Sequence, residues 1–116
     1  MEEKGNKGVA EQDIYLRHAE MCQVFSHPKR LEIINVLREG EVTVGQLAEK
    51  VRLSPANLSQ HLSMMKERRV LESRREGNAV LYRVANPKLF SAFDLLRQIL
   101  LEQLRAEGRL AEGVAR

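Results

Sequence analysis

Two helix-start signals stand close together in this 116-residue sequence and fix more of the fold than any other feature. Thr43 is followed three residues on by Gln46, the reciprocal pattern in which a hydroxyl and an amide satisfy each other's backbone N–H groups at a helix start. Ser54 is followed by Pro55, an N-cap hydroxyl and then a residue whose fixed φ and missing N–H suit a first helical turn. Between them Val44, Leu47, Ala48 and Val51 recur at helical spacing, so that helix is held to barely two turns. Arg52-Leu53 must turn the chain tightly into the next helix, which runs from Pro55 to about Arg68. At about 100° per residue, Leu58, Leu62 and Met65 form one inward stripe. Ala56, Gln60, Ser63 and Glu67 lie opposite, flanked by Asn57 and Met64, on a side that is polar and nearly free of bulk.

The flanking segments complete the order. Residues 1–10 carry no periodic apolar pattern and read as a disordered arm. A first helix spans Glu11 to Phe25, with apolar positions on more than one face, so it needs two partners. Ser26-His27-Pro28 stops it and starts a second helix, which runs to about Arg38, turns Leu31, Ile34 and Leu37 inward and ends at Gly40. Val70 to Arg75 and Ala79 to Val84 alternate as strands about a Glu76-Gly77-Asn78 turn. Asn86-Pro87 opens a last long helix carrying Leu89, Phe93, Leu96, Leu100 and Leu104, widened by Phe90, Leu95, Ile99 and Leu101 beyond what one small domain can cover. Gly108 and Gly113 mark residues 106–116 as a fraying tail. The fold class is mainly α with a small β-hairpin, one domain over 11–105, without internal repeats.

Composition narrows the function. Apolar residues make up 43% and charged residues 30%, an ordinary globular balance. No apolar run exceeds four residues, so neither a membrane span nor a secretory signal is expected, and the single Cys22 fits a reducing, cytoplasmic setting. From Lys50 to Arg83 eight basic residues face three acidic ones, an excess of +5, whereas the rest of the chain totals −2 within an overall +3. Such a local excess is either a footprint for phosphate or a solvated face.

A short helix, a tight connection and a helix with a small polar outer face form the helix-turn-helix arrangement that lays a recognition helix in a DNA major groove, and the basic hairpin beside it would be a wing. Small residues let the helix approach base edges, Gln60 and Asn57 can pair with adenine in bidentate fashion, and arginines at a hairpin tip can meet phosphate or a minor groove. The site read this way comprises Ser54, Ala56, Asn57, Ser59, Gln60, His61 and Ser63 on the helix, with Arg74, Arg75 and Asn78 on the wing. His61 borders the inward stripe, so hydrogen bonding or phosphate contact suits it better than base reading. A helical bundle with a structural hairpin, and a protein-interaction module without DNA binding, are the alternatives. An enzyme is not expected, since the chain offers no glycine-rich phosphate loop, no Ser-His-Asp order and no metal motif.

Three stretches add a resemblance: Phe25-Ser26-His27-Pro28-Lys29-Arg30-Leu31-Glu32-Ile33-Ile34, Leu53 to Leu62 with its Ser59-Gln60-His61-Leu62, and Gly77 to Val84. Together they resemble the arsenical-resistance-repressor-like (ArsR/SmtB) winged-helix family in one register from about Glu11 to Leu104. The resemblance implies a homodimeric repressor that pairs through its first and last helices, binds a palindromic double-stranded DNA operator and leaves it on sensing an effector. Ile14, Met21 and Phe25 with Phe93, Leu96 and Leu100 are then the expected dimer contacts, in accord with the two over-wide apolar helices. The family's metal sensors place Cys-Val-Cys at the start of the third helix, but here Thr43 and Gly45 hold those positions, and neither replaces a thiolate. The family's second metal site needs histidine on the last helix, where no histidine follows His61 and Asp94 stands alone. No metal and no cofactor is therefore expected. His18 and Cys22, four residues apart on the first helix, are either a half-buried histidine beside a small buried hydrophobe or a sensing pair.

Overall fold

The computed structural model describes Gly8 and residues 10–109. Most of the expected arm and tail, including Gly113, lies outside the described residues. Helix α1 (Glu11–Val24) buries only Val24, leaving Ile14, Tyr15, Leu16 and Met21 exposed. Helix α2 (Pro28–Val36) starts where expected, because His27 is its N-cap and accepts the Lys29 N–H at Nδ1, 3.1 Å away. The α-helix stops at Val36, and a single 3-10 turn (Leu37–Glu39) carries the chain to Gly40, whose φ is +133°. Its inward residues are Ile33, Ile34 and Leu37, whereas Leu31 is 44% exposed. The expected stripe steps by three and so drifts about 60° around the helix at each step, while the observed set stays within about 100°.

Strand β1 (Val42–Thr43) pairs antiparallel with β3 (Ala79–Val84), which also pairs with β2 (Leu71–Glu76), giving a three-stranded sheet in the order β1-β3-β2. The expected hairpin is thus present with an extra strand, and two residues are too few to show a period of two. Its first strand begins one residue later than expected, although Val70 is buried and accepts the Ala85 N–H at 2.9 Å. Gly77 takes φ +62° at the first central position of the two-residue turn, where an L side chain is strained.

Helix α3 (Val44–Val51) follows β1 directly. Thr43 Oγ1 accepts the Gln46 N–H and Gln46 Oε1 accepts the Thr43 N–H, both at 3.1 Å, so the capping box read from the sequence is formed. Helix α4 (Pro55–Glu67) buries Leu58, Leu62 and Met65 as expected. The core joins these three to Val24, Ile33, Ile34, Leu37, Leu47, Val51, Val70, Leu71 and Val84. Helix α5 (Lys88–Ala106), opened by Asn86 Oδ1 accepting the Lys88 N–H, is tied down along one side. Phe93 meets Phe25 edge to face at 4.5 Å, and Asp94 accepts two hydrogen bonds from Arg38, whose guanidinium lies 5.0 Å over the Phe90 ring. Its other side leaves Leu95, Leu96, Ile99 and Leu100 between 51% and 63% exposed.

Candidate nucleic-acid interface

Between α3 and α4 the chain reverses through Arg52, whose φ of +57° and ψ of +51° are left-handed, while the Leu53 N–H closes onto Ala48 O at 3.1 Å. That turn sets the angle between the two helices. Ser54 then caps α4 by accepting the Asn57 N–H at 3.2 Å, which leaves its hydroxyl proton free to donate. Beyond the cap, Ala56, Asn57, Ser59, Gln60 and Ser63 are all exposed, and no described side chain hydrogen-bonds to theirs. The face holds polar side chains with no hydrogen-bond partner among the described residues, and it lacks the bulky apolar residues of a protein-docking patch.

His61 is held from behind. Arg30 Nε donates to His61 Nδ1 at 3.1 Å, and the His27 ring packs 4.7 Å away at an interplanar angle of 63°. Accepting at Nδ1 places the proton of the neutral ring on Nε2. Burial, then the charges of Arg30 and His27, push His61 below its ordinary value of 6.5. Sequence reasoning missed this contact because Arg30 and His61 lie 31 residues apart.

The basic segment looks different in space. Glu20 and Glu41, both from outside it, reach Arg68 at 3.5 Å and Arg74 at 2.8 Å, and Glu72 holds Arg83 at 2.7 Å. Lys50, Arg52, Lys66, Arg69 and Arg75 meet no carboxylate among the described residues. Of the three expected wing contacts, Arg75 and Asn78 are exposed and open, whereas the Arg74 guanidinium is engaged.

The expected dimer contacts fall into two groups. Ile14, Met21, Leu96 and Leu100 are exposed, while Phe25 and Phe93 are half-buried against each other. Leu31, Leu96 and Leu100 rim an open groove of about 590 Å³ floored by Ile34, Phe25 and Phe93. Cys22 and His18 are exposed on α1, so within one protomer Cys22 is not the packed core residue that one sequence reading allowed.

A helix anchored by its inner stripe, bare on its outer face and flanked by a basic hairpin is the winged helix-turn-helix of DNA-binding proteins. Residues 27–73 match the model of the arsR family of bacterial regulatory proteins. Over 106 residues the chain is 34% identical to an HTH-type transcriptional regulator of Mycobacterium tuberculosis, covering 82% of this chain and 93% of that one. The crystal structure of that regulator superposes with a TM-score of 0.75 at 33% identity, over 81% of this chain and 95% of that chain. A biofilm growth-associated repressor of Xylella fastidiosa is 32% identical over 85 residues, 73% of this chain and 75% of the repressor. The homodimeric winged helix-turn-helix domain of a Mycobacterium bovis protein shares the fold at 23% identity, with a TM-score of 0.77 over 89% of this chain and 95% of that domain. The chain belongs to the arsR family and is a DNA-binding transcriptional regulator rather than an enzyme. No helix among the described residues is long and apolar enough to cross a membrane.

Proposed function

We propose that this regulator is a homodimeric repressor that reads a palindromic operator with α4, and that an effector releases it by acting on the α1 and α5 face. The observation that carries the reading is the outer face of α4, where Gln60 and Asn57 stand exposed among Ala56, Ser59 and Ser63, with Arg52 before the helix and Lys66 at its end meeting no carboxylate among the described residues. Gln60 and Asn57 read base edges, Ser54 and His61 Nε2 donate to the flanking phosphates, and Arg75 and Asn78 meet the backbone or minor groove from the wing. A two-fold dimer presents two such helices, which is why its site repeats as a palindrome. Ile14, Met21, Leu96 and Leu100 supply the pairing surface, supported from beneath by Phe25 and Phe93. His18 and Cys22 lie on the helix where an effector would disturb that pairing.

Binding to a duplex from the gene's own upstream region, followed by fluorescence anisotropy, tests base reading. Gln60→Ala should cost about 1–3 kcal/mol on that site and much less on random DNA. Equal losses on both would reduce Gln60 to a backbone contact and require another face of α4 to point at the bases.

A further inference from the structure

Arg74 lies on the same side of β2 as Glu72, opposite Leu81 of β3. From there it reaches across the sheet to Glu41, the residue just before β1. Its Nε donates to Glu41 Oε2 at 2.8 Å and Oε1 at 3.1 Å, Nη2 donates to Oε1 at 2.9 Å, and Nη1 stands 3.5 Å from Glu76 Oε2. Because β3 separates β1 from β2, this contact spans the sheet from one edge strand to the segment entering the other. Two residues past Glu41, Thr43 caps α3, so the pair links the outer strand of the wing to the start of the helix-turn-helix. The fork is already neutralised: the arginine holds the Glu41 carboxyl below the ordinary carboxylate range. Arg75 projects from the opposite side of the strand, exposed and without a carboxylate partner among the described residues.

We infer that the Glu41–Arg74 pair is a positioning clasp that sets how the wing meets DNA, and that Arg75, not Arg74, supplies the wing's uncompensated phosphate charge. Only a cation that displaces counterions adds to the salt dependence of binding, and a cation matched by its own carboxylate adds little. If Arg74 left Glu41 for a phosphate, an unpaired carboxylate would be stranded beside the DNA. The inference rests on the wing lying against DNA, and one salt titration with the full-length protein and the upstream duplex separates the two ideas. Arg75→Ala should lower the log-log salt slope by about one unit per wing engaged; an unchanged slope would sink the wing reading itself, whatever Glu41 does. Glu41→Gln should weaken binding about three- to tenfold with the slope unchanged and the melting temperature preserved, as an exposed pair acting at two wings allows. The exchanged pair, Glu41→Arg with Arg74→Glu, should bind more tightly than either single variant without fully matching the parent, since it rebuilds the clasp but sets like charges beside Glu76 and Arg83. Tighter binding by Glu41→Gln with a steeper slope would show that Glu41 merely competes with phosphate for Arg74. No effect of Glu41→Gln, or an exchanged pair as weak as either single variant, would equally overturn the clasp.

Discussion

Replacing Leu96 by glutamate separates association from folding. Leu96 is 63% exposed on α5, so within one protomer a charge there stays in water and should change stability by less than about 0.5 kcal/mol. In the proposed dimer the same position is covered. Full burial of a leucine contributes about 1.5–3 kcal/mol, and the fraction still exposed in the protomer is about two-thirds of that, or about 1–2 kcal/mol for each of two symmetric copies. Each glutamate must also shed water or take up a proton, which costs further kilocalories. A total on the order of 5 kcal/mol weakens dimerisation by about three to four powers of ten. The area is adequate: eight apolar side chains on α1 and α5 between 45% and 63% exposed can supply the order of 800 Å² per partner that a standard interface buries. Sedimentation equilibrium should therefore find a parent dimer and a Leu96→Glu monomer at micromolar concentration, with matching far-ultraviolet circular dichroism. A variant that remains dimeric within tenfold of the parent, or a parent that is itself monomeric, would refute the pairing surface.

Three further outcomes are expected. Arg52→Gly should raise stability by about 0.5–1 kcal/mol in urea titrations, because it relieves a side chain at φ +57°, while weakening DNA binding through loss of a cation that meets no carboxylate among the described residues; a loss of stability would mean that the Arg52 side chain supports the turn. His61 has a folded value below 6.5, so the unfolded chain binds more protons as the solution is acidified. Its contribution is complete above pH 6.5 and is lost as the pH falls through the lowered value; thermal unfolding should show this between pH 7.5 and 5.5, and His61→Gln should flatten the trend. Oxidant should lower operator affinity in the parent and leave Cys22→Ser unchanged, with DNA protecting the thiol to the same degree; equal retention in both proteins would remove Cys22 from sensing.

What could be read from the sequence was what short-range chemistry specifies. The Thr43–Gln46 box, the Ser54 cap and the Leu58, Leu62 and Met65 stripe each depend on residues within two turns, so spacing alone revealed them and with them the exposed polar face of α4. The bond from Arg30 to His61 and the clasp from Arg74 to Glu41 join residues 31 and 33 apart, and only the packed fold brings them together. Summing charge along Lys50 to Arg83 therefore overstated what is available to phosphate, since Glu20 and Glu41 come from elsewhere. Strand β1 escaped because Thr43 belongs to both sheet and cap, and the helix signal there is the stronger. Leu31 was misplaced because three-residue steps around a helix leave more than one stripe open until a neighbour selects one.

On the proposed function, helix α4 divides its sequence between two independent tasks. The side chains of Ala56, Asn57, Ser59, Gln60 and Ser63 are exposed and hydrogen-bond to no described side chain, so substitutions there would alter the preferred operator at little cost to folding. Substitutions at Leu58, Leu62 and Met65 are felt by the whole core and only indirectly by DNA. A lineage carrying this scaffold could thus drift from one operator to another through intermediates that remain folded, because the residues proposed to choose the DNA are not those that hold the helix.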